Sequence, residues 1–108
     1  MSRAGMVMFG DIPAGRIVED DRGYHFTYLE EYLKRADATP VSLTLPLRRG
    51  EHSSTTMIPF FDGLIPEGWL LDIAQKNWKL DPKDRMGLLL ACCKDCIGAV
   101  SVHPEQEP

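Results

Sequence analysis

Apolar and polar positions alternate along the first quarter of the chain with a period near two. Met6 to Phe9 is a short apolar run closed by Gly10-Asp11, which reads as a buried strand. Ala14 to Glu19 follows as a second strand. Asp20-Asp21-Arg22-Gly23 is a strong turn signal, and Tyr24-His25-Phe26-Thr27-Tyr28 alternates with high β propensity. Three short segments with tight connections predict an antiparallel meander. The period then changes. Leu29, Tyr32, Leu33 and Ala36 fall at helical spacing, so a short helix is expected over Leu29 to Arg35.

Val41-Ser42-Leu43-Thr44-Leu45 alternates again and predicts a strand with Val41, Leu43 and Leu45 inward, ended by Pro46. Leu47 to Thr56 reads as a polar loop. Pro59 suits the first position of a helix, where its missing N–H costs nothing, with Phe60, Phe61 and Leu64 on the inner face. Glu67 to Lys79 has the clearest helical pattern. Asp81-Pro82 predicts the next helix start, with Met86, Leu89, Leu90 and Cys93 recurring at helical spacing up to Lys94. Gly98 breaks that helix, and Ala99 to His103 is a last strand. The tail 104–108 is polar and expected to fray. The sum is an α+β fold: about five short strands in a small, mostly antiparallel sheet, packed with three or four helices. Residues 1–108 are expected to form a single domain.

Composition removes several classes of function. A formal net charge of −4, with no basic cluster beyond Lys34-Arg35 and Arg48-Arg49, argues against direct binding to nucleic acid. No stretch reaches the roughly 18 apolar residues of a membrane span, and no signal peptide is visible at the start. The three cysteines, Cys92, Cys93 and Cys96, are odd in number and crowded. Adjacent cysteines make strained disulfides, so a reducing, cytoplasmic location is expected.

Candidate chemistry is sparse. The sequence carries neither a phosphate-binding glycine loop nor the kinase catalytic and metal motifs, and Phe61-Asp62-Gly63 is in the wrong order for the latter. Zinc wants four ligands, usually as two spaced pairs; here a second pair is missing, and His25, His52 and His103 are scattered. The cysteines read as small buried residues at a helix end. His52 lies in the polar loop beside Ser53, and neighbours in sequence do not by themselves make a nucleophile and base. The expectation is therefore no catalytic residue, no cofactor and no metal.

The helix from Glu67 carries the strongest signal. On a wheel of about 100° per residue its apolar arc spans roughly 200°, twice what one buried face needs. Leu70 is at the centre of the arc. Trp69 is on its rim, beside Asp72 and Lys76. A half-buried Trp with its indole N–H at the surface is one reading. An aromatic anchor for a protein partner is the other, with Glu67, Gly68, Trp69, Asp72, Ile73 and Lys76 as the contact set.

Three segments carry a resemblance over nearly the whole chain, in matching order: Val41-Ser42-Leu43-Thr44-Leu45-Pro46-Leu47-Arg48-Arg49-Gly50, Phe60-Phe61-Asp62-Gly63-Leu64-Ile65-Pro66-Glu67-Gly68 and Lys94-Asp95-Cys96-Ile97-Gly98-Ala99-Val100. They resemble the N-terminal subdomain of the HipA-type serine/threonine kinases. Those kinases continue through nucleotide-binding and catalytic segments, whereas this chain stops after its last strand. It therefore looks like the stand-alone form of the subdomain, the HipS-type antitoxins of three-component toxin–antitoxin systems. The resemblance implies a partner, a HipA-like kinase toxin that the chain binds and inhibits, and through it a DNA-binding third component. The alternatives are the amino-terminal part of a longer kinase, which the start at Met1 and the ragged polar end at Pro108 disfavour, and a small thiol-dependent enzyme using Cys92, Cys93 or Cys96.

Overall fold

The computed structural model describes residues 3–65, 84–92 and 99–105. Its centre is a five-stranded antiparallel sheet in the order β4-β3-β2-β1-β5. The strands are β1 (Arg3–Phe9), β2 (Ile12–Asp20), β3 (Gly23–Tyr28), β4 (Glu51–Ser54) and β5 (Val100–Pro104). Three short helices accompany them among the described residues: α1 (Glu30–Leu33), α2 (Pro59–Asp62) and α3 (Arg85–Cys92). The sheet dominates the described residues; the helix expected over Glu67 to Lys79 lies outside them.

The meander forms for the reasons its sequence offers. Phe9 pairs with Ile12 across Gly10-Asp11, and Gly10 has φ +64°, which two-residue hairpin turns require. At the next turn the Asp20 carboxylate accepts the Arg22 N–H at 2.8 Å. The register of β1 on β2 shifts between Val7 and Met8, so Ala14 has no partner on β1. The carbonyl of Ala14 instead accepts the N–H of Leu29 at 2.9 Å, which anchors the start of α1.

Alternation sorts the sheet into two faces. Val7, Ile17, Phe26 and Val102 are fully buried on the inner face. Arg16, Val18, His25, Thr27, Glu51 and Ser53 belong to the other face by register. Phe26 has its ring centroid 5.3 Å from that of Phe61 on α2 and 4.8 Å from that of Tyr28. Gly15 lies directly beneath it: a Cβ there would come within 2.6 Å of the Phe26 ring. From α3, Met86, Leu88 and Leu89 are fully buried in the same core. Two arginines tie the helices in place. Arg85 Nε donates to Asp62 Oδ1 at 2.6 Å, joining α3 to α2. Arg3 donates to both oxygens of Asp84, at 2.6 and 2.9 Å, and to Glu19 at 2.7 Å, joining α3 to β1 and β2.

Four expectations need correction. First, Val41 to Leu45 is not a strand. Leu45 N–H bonds back to the Ser42 carbonyl at 3.0 Å, and the Ser42 hydroxyl takes the Thr44 N–H at 3.2 Å. This closes a turn between Pro40 and Pro46, so Val41 and Leu45 point inward while Leu43 is 97% exposed. Second, the polar stretch 47–56 contains β4, because an edge strand needs only one inward residue, and His52 supplies it. Third, α3 begins at Arg85, with Asp84 non-helical before it. Asp84 Oδ1 accepts the Gly87 N–H at 3.2 Å, which is the geometry of an N-cap; Asp81-Pro82, expected in that role, lies outside the described residues. Fourth, Pro104 and Glu105 are held. Pro104 pairs with Gly5, the Glu105 N–H bonds the Ala4 carbonyl at 3.0 Å, and its carboxylate accepts from Arg16 Nε at 2.7 Å.

The core assignment makes a direct prediction. Phe61→Ala should destabilise the protein by about 3–5 kcal/mol, the range for truncating a buried aromatic side chain. Leu43→Ala should change stability by no more than about 0.5 kcal/mol, as at an exposed position. Urea melts of both variants check this, and a large loss for Leu43→Ala would restore the inward strand.

Candidate docking surface

The described surface has two features with chemical content. The first is a polar ladder on the open face of the sheet. The imidazole of His25 spans three strands: Nε2 lies 2.9 Å from Asp20 Oδ1 and Nδ1 lies 2.9 Å from Ser53 Oγ, with Glu51 Oε1 at 3.6 Å. The bond from His25, helped by the Arg22 N–H, holds the Asp20 carboxyl below its ordinary range. An ionised Asp20 accepts from Nε2, which leaves Nδ1 of a neutral ring to accept the Ser53 hydroxyl proton. Beside the ladder is a groove of about 340 Å³ walled by Arg16, Val18, Thr27, Tyr28 and Leu29. The sequence set Ser53 beside His52. The sheet separates those two onto opposite faces and pairs Ser53 with His25, its register partner across β3 and β4.

The second feature is the turn at Leu43. Two tyrosines brace the segment that carries it. The Tyr28 hydroxyl receives the Val41 N–H at 3.0 Å and donates to the Leu45 carbonyl. The Tyr32 hydroxyl donates to the Thr39 carbonyl at 2.6 Å and receives the Thr39 N–H at 3.2 Å. Burial raises the Tyr28 pKa, so the hydroxyl keeps the proton it donates. Val41 and Leu45 are buried on either side, and the tip between them presents Leu43 to solvent.

Next to this tip is a groove of about 310 Å³ lined by Thr44, Arg48, His52, Ser54, Ile58 and Pro59 among others. His52 forms its floor. Its ring stacks on Phe26 at 6.2 Å, and its Nε2 lies 3.1 Å from the Pro46 carbonyl. Burial lowers the His52 pKa and the positive charge of Arg48 lowers it further, against a smaller opposing effect of the Pro46 carbonyl. Far from a solvated loop residue, His52 is a neutral core histidine under an exposed turn. No local pattern marks it, because its place opposite Phe26 comes from the register of β4 on β3.

The sequence profile of the HipA N-terminal domain matches residues 6–103. The chain belongs to the HipA N-terminal domain family. An uncharacterized protein of Haemophilus influenzae is 33% identical over 106 residues, which span 97% of this chain and 95% of that protein. Y4mE of Sinorhizobium fredii, named as a candidate kinase, is 32% identical over 96 residues, covering 87% of this chain but 23% of that protein. A solved structure described as the N-terminal domain of HipA toxin superposes with a TM-score of 0.76 at 29% identity, covering 98% of this chain and 95% of that one.

In this HipA N-terminal domain the contact set expected from the sequence, Glu67, Gly68, Trp69, Asp72, Ile73 and Lys76, lies outside the described residues. So do Cys93 and Cys96; Cys92 closes α3. Among the described residues no helix is long and apolar enough to cross a membrane, and no group of His, Cys, Asp and Glu is arranged to hold a metal ion.

The buried histidine sets a pH dependence. A folded-state pKa below the ordinary value means the unfolded chain takes up the proton first. Its stabilising contribution is complete above pH ~6.5 and is lost as pH falls from there through the depressed value. Asp84, held below the usual carboxylate range by Arg3, acts in the same direction but only below pH ~4. The wild-type melting temperature should therefore fall between pH 7.5 and 5, and His52→Gln should flatten that part of the profile. Parallel slopes in the two proteins would mean that His52 takes up its proton as readily folded as unfolded.

Proposed function

We propose that this HipA N-terminal domain is a binding module without catalytic machinery of its own, an antitoxin that docks on a HipA-like serine/threonine kinase and inhibits it in the cytoplasm. One observation carries the reading. The same domain accounts for 95% of one relative's length and for 23% of a relative named as a candidate kinase. A domain found both as nearly a whole protein and as one part of a larger chain suits a module that occupies, in trans, the place it holds in cis. Members of the pair would then share a surface, and a free domain could hold the kinase in an unproductive arrangement. A DNA-binding third component would join through the kinase, since a net charge of −4 gives this chain little to offer a phosphate backbone.

The test is co-expression with a shortened HipA-like kinase that lacks this domain, followed by size-exclusion chromatography and a kinase assay. A stable complex with suppressed phosphorylation is expected, and the isolated domain should hydrolyse no ATP. Two separate species and an unaffected kinase would exclude the proposal.

Within the complex, the wide apolar arc expected from the sequence of the segment from Glu67 assigns different roles to neighbours. Trp69→Ala should weaken inhibition by roughly thirtyfold, the loss of an anchor worth about 2 kcal/mol, with little change in melting temperature. Leu70→Ala, at the centre of the arc, should instead lose about 2–5 kcal/mol of stability. Equal thermal damage from both substitutions would make Trp69 a core residue and remove it from the contact set.

A further inference from the structure

The turn at Leu43 is built in a way that its own stability does not need. A leucine with 97% of its surface exposed contributes almost nothing to the core, and among the described residues it is the one large apolar side chain left fully in solvent. Scattered apolar residues on a surface are ordinary. This one differs because its backbone is held fast. Buried Val41 and Leu45 flank it, the Tyr28 hydroxyl bonds both of those residues, and the Ser42 side chain closes the turn from within. Pro40 and Pro46 restrict the chain at either end. A turn on such a support has little backbone freedom left to lose when a partner buries its tip, which lowers the entropic cost of docking.

The surroundings specify the partner's chemistry. Thr44, next to Leu43, lines the same groove as Arg48, and Arg48 and Arg49 form one of the two basic pairs on a chain of net charge −4. Arg48 is held toward the edge of the sheet by donating to the Glu51 carbonyl at 3.3 Å. An apolar knob beside a cationic rim is complementary to an apolar pocket with carboxylates at its margin.

We infer that the Ser42–Leu45 turn is a docking knob, with Leu43 entering an apolar pocket rimmed by acidic side chains on the body of a HipA-like kinase. The inference rests on the binding role proposed above and adds a second contact, separate in sequence from Trp69. The occupant follows from the family: in the candidate kinase relative the matched domain is 23% of the protein, so a large remainder of the same chain is available for it to face.

The test uses the full chain and the shortened kinase lacking this domain. Leu43→Asp places a charge where the pocket is apolar and its rim already negative. It should weaken the complex by about tenfold or more, as read by titration calorimetry, with an unchanged melting temperature. Arg48→Glu should weaken it too, and the salt dependence seen in the wild-type complex should be reduced in that variant. If the wild type binds and Leu43→Asp binds equally well, the knob is wrong and the binding role stands. If the wild type does not bind, both fall. A Leu43→Asp protein that melts early would contradict the exposed turn itself. In that case Leu43→Ser, which adds no charge, gives the binding measurement, and wild-type affinity there overturns the inference.

Discussion

The ring of Phe26 touches most of what defines this molecule. It lies on Gly15 of the neighbouring strand, faces Phe61 of α2, meets Tyr28 edge-on and stacks on His52 of the outermost strand. Each partner comes from a different stretch of chain, so the sheet, the second helix and the edge strand converge on one side chain. The absence of a side chain at position 15 is part of the same constraint. The Phe26 ring occupies the space that a Cβ at position 15 would need. Burying the ring removes a large apolar area from water, and its geometry fixes which segments can meet around it.

From that centre, polar groups carry order outward. Tyr28 presents its aromatic body to Phe26 and its hydroxyl to the backbone of residues 41 and 45. Tyr32, nearly parallel to it at 6.0 Å, does the same for Thr39. A segment with no regular secondary structure is thereby given fixed hydrogen-bond partners, as buried backbone groups require. On the opposite side, Arg3 ties the first strand to α3 through Asp84, the residue that also caps that helix. The pair is half-exposed, so its contribution is to orientation more than to stability.

For a binding module this division of labour is useful. A rigid apolar core holds the sheet, while loops set on it by specific hydrogen bonds carry the variable surface. The proposed antitoxin role asks for a domain that keeps its shape without the rest of a kinase. The described core packs within the domain itself, around Phe26 and Phe61, and the Leu43 turn projects from it into solvent.

Much of this fold is legible in the sequence, for local reasons. The apolar run Met6–Phe9 and the alternation in Tyr24–Tyr28 mark strands because a buried strand is apolar throughout and a half-buried one repeats every two residues. Gly10-Asp11 and Asp20-Gly23 mark turns because backbone geometry there depends on neighbouring residues alone. The three segments that resemble the HipA N-terminal subdomain were visible as well, and they led to the family. The sequence could not reveal which face an alternating segment would find. Val41 to Leu45 alternates like a strand, yet among the described residues no strand lies alongside to complete a ladder, and its middle leucine faces water. The stretch 51–54 is too polar to read as a strand, yet the open edge of β3 makes it one and turns His52 inward. Ser53 acquires His25 as its neighbour only through strand register, which no local pattern contains. Periodicity is a property of adjacent residues and is fixed by the sequence itself. Burial and partnership depend on what the rest of the chain brings alongside, and the tertiary structure alone decides them.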